Sequence, residues 1–203
     1  MKAVVDLQYR CFPPAIRKLF MGCSSPLQPG ELIRYTDSVM QRMREDPHDI
    51  WIGVKDSQTG RLIAGSNWKV HMNGDAGNRQ ADEAPSWLEG EELEKSKRVI
   101  GKMFEMRQKA MPGPFIYLHI CFTDQHYRRR GAGGMMLQWG CELADQLWIP
   151  GYIEASVAGN FLYKTFGFQD HEQMDSDIGE EGVSMKRDAR SKPVEGGKAA
   201  PPT

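Results

Sequence analysis

A run of three arginines followed by a glycine-rich turn, RRRGAGG at 128–134, carries the clearest chemical signal of the sequence. The unpaired N–H groups of a first helical turn, together with the helix dipole, form a site for anions. Glycines carry no Cβ, so the backbone can approach a bulky diphosphate, and arginine side chains add positive charge. The residues of this predicted phosphate-binding turn are Arg128, Arg129, Arg130, Gly131, Ala132, Gly133 and Gly134.

Other motifs fit the same run poorly. The Walker pattern G-x-x-x-x-G-K-[ST] is absent, and G-x-G-x-x-G does not occur here. The arginines have no interleaved aromatic residues and the net charge of the chain is −1, so we expect no nucleic-acid partner. A basic loop that merely caps a surface helix stays open as the alternative to a phosphate site.

The elements that must position this turn follow from hydrophobic periodicity and from breaker residues. The turn is expected to join a strand to a long helix, and Gly167 suits the left-handed C-cap of a second, shorter helix. The predicted elements are, in order, a strand at 115–123, a turn at 124–127, a helix to about Trp148, a strand at 152–156 and a helix at about 160–166.

In the rest of the chain, helices are predicted before and after a hairpin along the sequence. We therefore expect an α/β (α+β) protein. The predicted helices are 2–12, 31–44 and 91–110, and the predicted strands are 50–55 and 61–72, with weaker candidates from Phe168 onward and at 182–186. The polar, acidic residues 73–90 are expected to form an exposed loop. The tail at 187–203 has no apolar periodicity and is expected to be disordered.

Composition excludes several classes of protein. With 40% hydrophobic and 26% charged residues, the chain is typical of a globular domain. It has no signal-peptide pattern and no apolar run of 18 residues, so we expect a cytoplasmic protein without a membrane partner. Its four cysteines show no C-x-x-C spacing, and reduced thiols are expected.

Two segments resemble the GCN5-related N-acetyltransferases (GNAT). LHICFTDQHYRRRGAGGMMLQWG is similar to motif A of that superfamily, where Arg128, Gly131 and Gly133 fill the signature [RQ]-x-x-G-x-[GA]. YIEAS…NFLYKTFGF is similar to motif B. The resemblance implies a mixed, mostly antiparallel sheet flanked by helices and splayed between its two central strands. It implies one domain over 1–186, interrupted by an insertion at 73–110, whereas the first strand usual in the family has no counterpart here.

The resemblance also implies acetyl-CoA as cosubstrate and no metal. It places the pantetheine arm along Cys121, Phe122 and Thr123, and the diphosphate on 129–134. Ser156 occupies a position where relatives often carry an Asn that contacts the cofactor. The family's turn usually carries a proline where this sequence has Gln125.

Tyr163 resembles the general acid that protonates the departing thiolate of coenzyme A, although packing beside Phe166 and Phe168 is the alternative. The pKa of a phenol is about 10 and that of a thiol is about 8.5. A phenol can therefore donate its proton to a thiolate once desolvation raises the pKa of the thiol. Candidates for the base are Glu154, His119 and Asp124. Strict alternation would put His119 on one face of its strand with Tyr117, Cys121 and Thr123.

The implied function is transfer of an acetyl group from acetyl-CoA to a primary amine by direct attack. The acceptor is expected to be a small-molecule amine or a peptide, and the protein a monomer or homodimer. Trp68 and Trp87 either line the acceptor pocket or are partly buried as ordinary tryptophans. A different class of function, a non-catalytic acyl-CoA sensor or interaction module with the same fold, stays open.

Overall fold

A six-stranded sheet organises the protein, whose computed structural model describes residues 1–72, 84–174 and 182–191. The strand order is β1-β2-β3-β4-β6-β5, and every pair is antiparallel except β3 with β4. The strands are β1 (Asp49–Lys55), β2 (Leu62–His71), β3 (Phe115–Thr123), β4 (Gly151–Ser156), β5 (Gln169–Gln173) and β6 (Gly182–Arg187). The predicted mixed, mostly antiparallel sheet is confirmed.

Helices cover both faces of this sheet. They are α1 (Lys2–Cys11), α2 (Pro14–Ile16, continued by a π-helical turn at Arg17–Met21), α3 (Glu31–Glu45), α4 (Gly90–Ala110), α5 (Ala132–Leu147) and α6 (Val157–Lys164). Alternate residues of a strand point to opposite faces. Phe115, Tyr117 and Tyr152 therefore pack against Phe104 of α4 on one face. Leu118 and its neighbours on the other face pack against α5.

The two central strands separate part of the way along their length. In the described part of the chain, β3 and β4 pair in parallel at three positions, from Ile116 opposite Gly151 to Leu118 opposite Ile153. Beyond this point residues 120–123 pair with β2 and residues 154–156 pair with β6, and β3 and β4 no longer pair with each other. The predicted splay is thus present, and it leaves the facing backbone edges of β3 and β4 apart.

A bulge in β3 lies at the point where the strands separate. Asn67 of β2 pairs with Ile120 and Trp68 pairs with Leu118, so His119 is the additional residue. An additional residue in a strand reverses the face of the sheet to which each later side chain of that strand points. His119 stays with Tyr117, whereas Cys121 packs on the opposite face with Leu118. The expectation from strict alternation that Cys121 shares a face with Tyr117 is wrong, because it assumed a regular strand.

Most predicted elements agree with the structure, and the differences lie at their ends. The helix expected at about 160–166 begins at Val157, directly after β4. Residues 84–89 are not the exposed loop that was expected, because Ala84 and Leu88 are buried. The first residue of the predicted tail, Arg187, is the last of β6 and forms two hydrogen bonds with Asp145, at 2.8 and 3.0 Å.

Some predictions fall on residues outside the described ranges. The loop part of the insertion at 73–83 and the tail from 192 are among them. The prediction of a single domain over 1–186 stays a prediction. None of the helices in the described ranges combines the length and the apolar character of a membrane span.

Close packing of α5 on the sheet predicts a strong effect at Gly140. A Cβ at this position would lie 2.2 Å from the ring of Trp68, which is fully buried and cannot move aside. We expect Gly140→Val to lower the free energy of unfolding by about 1–3 kcal/mol or more, measured by urea denaturation. The control is Gly113→Ala, where a Cβ meets open space; an equal loss in both variants would contradict this packing.

Candidate functional site

A cleft of about 790 Å³ lies where β3 and β4 separate. It brings together nearly all residues that the sequence analysis predicted for the cofactor. Those that line it are Cys121, Phe122, Thr123, Arg128, Arg129, Gly131, Ala132, Gly133, Gly134 and Ser156. Within the described ranges Arg130 is the predicted residue that does not line the cleft, and its guanidinium carbon lies 5.1 Å from the centre of the Tyr127 ring.

The turn between β3 and α5 is held by local hydrogen bonds. The carboxylate of Asp124 accepts from the His126 N–H at 3.0 Å and from the Arg61 guanidinium at 3.1 Å. Arg129 and Gly131 both have left-handed backbone conformations, with φ of +61° and +89°. This conformation is costly for arginine, so the surrounding contacts must enforce it. The result is an α5 N-terminus that opens into the cleft.

The glycines of this turn serve different purposes. Gly131 supplies the positive φ at the N-cap of α5. A Cβ on Gly133 would lie 2.8 Å from Cδ2 of Leu162, so this glycine lets α5 and α6 approach each other. A Cβ on Gly134 would lie 3.9 Å from Phe166, an ordinary contact. Close packing of α5 against α6 therefore explains the glycine at 133.

Tyr163 of α6 lines the cleft and is 8% exposed. Its ring packs edge-on against Phe168, with centroids 6.5 Å apart, and its hydroxyl lies against the thiol of Cys121. Burial, followed by the neighbouring Cys121, raises the pKa of Tyr163 well above its usual value. The hydroxyl therefore keeps its proton at physiological pH. Tyr163 packs in the core and also faces the cleft, so the two expectations for it are compatible.

Gly159 makes room for this tyrosine and was missed from the sequence. A Cβ on Gly159 would lie 2.7 Å from the Tyr163 ring and 3.0 Å from its oxygen. The two residues are four apart on α6, the spacing at which side chains of a helix meet. That spacing, a glycine one turn before the tyrosine, is the signal that would have identified it.

Glu154 and three polar side chains near it form a group on the other side of the cleft. Arg107 of α4 lies 3.2 Å from Oε1 of Glu154, and the Tyr117 hydroxyl donates to Oε2. The Arg107 guanidinium carbon also lies 4.1 Å above the Tyr117 ring. Nδ1 of His119 lies 3.2 Å from the Tyr117 oxygen. We call Arg107, Tyr117, His119 and Glu154 the Glu154 cluster; all four line the cleft.

Sequence reasoning selected Glu154 and His119 from this cluster but missed Arg107 and Tyr117. The side chains of Arg107 and Glu154 are only 4% and 3% exposed. A charged side chain is seldom buried unless it is paired. Arg107 lies seven residues after Ile100 and three after Phe104, on the buried face of α4. An arginine in an apolar helical stripe is the sequence signal that would have shown Arg107 to be buried, although not which residue is its partner.

Three other candidates lie away from the cleft, judged on the described part of the chain. Asp124 is engaged in the β3–α5 turn and does not line the cleft. Trp68 is fully buried in the core beneath α5. Trp87 donates from Nε1 to the Gly22 carbonyl at 3.0 Å. Full or partial burial thus describes both tryptophans, and neither lines the cleft.

The cleft continues beyond the Glu154 cluster between α1, α3 and α4. Its wall there is mostly apolar, formed by Phe12, Ile16, Phe20, Ile100 and Met103. The polar residues at this end are Gln8, Tyr35, Arg42 and Lys69. The Gln8 amide donates to the Tyr35 hydroxyl at 3.1 Å. The lining of this end suits a second, partly apolar ligand.

Comparisons with known proteins agree with this fold. No family model matches the sequence. A probable acyltransferase, SID5 of Ajellomyces capsulatus, is 28% identical over 102 residues, which cover 50% of this chain and 70% of the relative. A mosquito arylalkylamine N-acetyltransferase like 5b is similar in structure, with a TM-score of 0.63, 13% identity and coverage of 92% and 93% of the two chains.

Two further solved structures are similar over most of their length. One is a histone acetyltransferase HPA2 and related acetyltransferase from Corynebacterium glutamicum, with a TM-score of 0.59, 16% identity and coverage of 94% and 92%. The other is the paia N-acetyltransferase of Thermoplasma acidophilum, solved with coenzyme A, with a TM-score of 0.52, 10% identity and coverage of 92% and 91%. The chain therefore has the GNAT acetyltransferase fold, as the two sequence motifs predicted. Its similarity to SID5 is to an acyltransferase.

Desolvation of the Cys121 thiol predicts that it reacts slowly with alkylating agents, although the residue lines the cleft. Desolvation raises the pKa of Cys121 to about 12 from an ordinary 9.0, and only the thiolate reacts with alkylating agents. At pH 8 we expect iodoacetamide to label Cys121 about a thousandfold more slowly in the folded protein than in urea, as followed by peptide mass spectrometry. Rapid labelling of the folded protein at Cys121 would contradict this and would make the residue a candidate nucleophile.

Proposed function

We propose that the protein is an N-acetyltransferase that moves an acetyl group from acetyl-CoA to a primary amine by direct attack. One observation carries the proposal: a single cleft contains an open helix N-terminus, the splayed edge of β3, Tyr163 and the Glu154 cluster. If the residues proposed for the diphosphate, the thioester and the acceptor lay in different clefts, the acetyl group could not pass directly from the thioester to the amine. The acyltransferase relative and the acetyltransferase fold support the class of reaction.

Residues at one end of the cleft fit acetyl-CoA. The amides at the start of α5, with Arg128 and Arg129, are proposed to hold the diphosphate through hydrogen bonds and charge. The separated backbone of Cys121–Thr123 offers strand-like hydrogen bonds to the amide groups of the pantetheine arm. Ser156, an exposed residue at the N-cap of α6, is proposed to contact the cofactor from the β4 side.

The proposed transfer joins the amine nitrogen to the acetyl carbon and breaks the carbon–sulfur bond. Tyr163 donates its proton to the departing sulfur, and the proton of the acceptor nitrogen passes to the Glu154 cluster. The apolar packing around Tyr163 would also raise the pKa of a coenzyme A thiol held against it. Tyr163 is a weak acid there, but the thiolate is a correspondingly strong base, so the proton transfer is feasible.

The acceptor is proposed to be an amine attached to an apolar group. The far end of the cleft is lined mainly by Phe12, Ile16, Phe20 and Met103, and its basic residues Arg42 and Lys69 disfavour a polycation. The structurally similar mosquito protein is named for arylalkylamines, which are amines of this kind. Small molecules and peptide N-termini both satisfy this description.

A second candidate function is non-catalytic binding of acyl-CoA. Both carboxylate oxygens of Glu154 already have partners in Arg107 and Tyr117, which is unfavourable for a group that must itself accept a proton from the acceptor. Stoichiometric uptake of acetyl-CoA without release of coenzyme A in a pooled amine screen would favour this candidate. Steady release of coenzyme A with formation of an acetylated amine would favour the transferase.

Removal of the Tyr163 hydroxyl tests the proposed acid. We expect Tyr163→Phe to lower kcat by about 10²- to 10⁴-fold, the usual contribution of a general acid, with little change in acetyl-CoA affinity. The control is Tyr9→Phe, because the Tyr9 hydroxyl donates to the Ser24 carbonyl and does not line the cleft. Turnover in Tyr163→Phe equal to wild type would remove this residue from the mechanism.

A charge placed at the start of α5 tests the diphosphate site. Position 134 has room for a side chain, and an acidic residue in a first turn is favourable for the helix. We therefore expect Gly134→Asp to fold but to bind acetyl-CoA about tenfold or more weakly than Gly134→Asn, a difference of about 1.4 kcal/mol by calorimetry. Equal affinities in the two variants would mean that the diphosphate binds elsewhere.

A further inference from the structure

We infer that His119 is the group that takes the proton of the acceptor, through Nε2, and that Tyr117 and Glu154 act through it by fixing its tautomer. This inference rests on the proposed function and names the receiving atom within the Glu154 cluster. It makes Glu154 a positioning residue rather than the base that contacts the amine.

The tautomer follows from the number of protons available to the cluster. A phenol has one proton, and a carboxylate paired with a guanidinium can only accept hydrogen bonds. Tyr117 donates its proton to Glu154, whose other oxygen lies 3.2 Å from Arg107. The hydrogen bond of 3.2 Å between Tyr117 and Nδ1 of His119 must therefore carry a proton from the imidazole. Neutral His119 accordingly holds its proton on Nδ1.

This tautomer leaves Nε2 as the basic nitrogen of the ring. A neutral imidazole has one protonated and one unprotonated nitrogen, and the hydrogen bond made by the first determines which is the second. When Nε2 receives a proton, the imidazolium keeps its hydrogen bond to Tyr117. Only the Tyr117 hydroxyl then separates it from the negative charge of Glu154. The same arrangement of carboxylate, linking group and imidazole would orient the ring before the reaction and offset its charge afterwards.

The bulge in β3 places this ring beside the proposed reacting atoms. His119 is the additional residue at the point where β3 and β4 separate, and it lines the cleft. Two residues later Cys121 lies on the opposite face of the strand, against Tyr163. The proposed acid and base thus approach the cleft from opposite faces of the sheet. A thioester held in the gap would meet Tyr163 on one side and His119 on the other.

Glu154 is poorly placed to take the proton directly. Its side chain is 3% exposed, and an amine could reach it only by displacing Arg107 or Tyr117. The charged groups that line this part of the cleft are Arg107 of α4, Lys69 of β2, Arg42 of α3 and Glu154 of β4. His119, by contrast, lines the cleft itself and is joined to this group through the Tyr117 hydroxyl.

The proton balance of the step is simple. The nitrogen–hydrogen bond of the attacking amine breaks and an Nε2–H bond forms, while Tyr163 supplies a separate proton to the sulfur. The imidazolium then releases its proton to water, and Tyr163 regains one from water. One acetyl group moves, and no oxidant or further reactant is required.

The tautomer can be measured without any assay of activity. Protein labelled with ¹⁵N at histidine and held above pH 8 gives long-range proton–nitrogen spectra that distinguish the two ring nitrogens, and His119→Gln assigns the signal. We expect the Nδ1–H form in wild type and a shift toward the Nε2–H form in Tyr117→Phe, which lacks the accepting hydroxyl. An Nε2–H tautomer in the wild-type protein would overturn the inference.

Kinetics with an alkylamine acceptor test the role of the ring. We expect His119→Ala to lower kcat/KM by about 10²- to 10⁴-fold, to leave the acetyl-CoA Kd unchanged and to recover in part with added imidazole. The acid limb of the wild-type rate profile, which reports protonation of the base, should disappear in this variant. The matched control is His171→Gln, an exposed histidine outside the cleft.

The outcomes separate the two levels of the proposal. Wild-type protein that binds acetyl-CoA but acetylates no amine would overturn the proposed function. Wild-type protein that acetylates amines, with a His119→Ala variant that keeps its rate and its acid limb, would overturn the assignment of the base alone. Tyr117→Phe should show an intermediate loss of kcat with an unchanged KM, which a purely structural role would not produce.

Discussion

The parallel pairing of β3 with β4 over three positions is the constraint from which the cleft follows. A pair that continued to the strand ends would bury the backbone groups of residues 119–123 in one more ladder. Because it stops, the edge of these residues that faces β4 is open, and a peptide-like ligand is proposed to pair with it. The same separation opens the N-terminus of α5 and gives Tyr163 and the Glu154 cluster access to one space.

The bulge at His119 turns this opening into a site with two sides. Without an additional residue, Cys121 would share a face with Tyr117, and the thiol would lie far from Tyr163. With it, the two halves of β3 present opposite faces to the cleft. Because the two proposed proton-transfer groups lie on opposite faces of the sheet, different surroundings set the pKa of each. Here apolar packing surrounds Tyr163, and an ion pair lies behind His119.

Local sequence patterns predicted the elements that depend on local interactions. The strand at 115–123 is confirmed residue for residue, and α5 and the glycine-rich turn before it lie where glycines and periodicity predicted them. The bulge in β3 could not be predicted, because the alternation of residues in one strand does not show the register in which the neighbouring strand pairs with it. The contact between Arg107 and Glu154 joins residues far apart in the chain, so no window of sequence contains it. Residues 84–89 were misjudged because their composition gave no sign that Ala84, Pro85 and Leu88 are buried.

The ion pair between α4 and β4 has a consequence for the order in which the chain assembles. Its partners are 47 residues apart, and either charge alone would be very unfavourable in an apolar interior. The helix therefore gains little by docking before β4 has joined the sheet, and β4 gains little by closing over its carboxylate before the helix arrives. Such mutual dependence couples two distant segments into one cooperative folding unit. A nascent chain that has left the ribosome only as far as α4 would have to wait for the remainder before this part of its core could close.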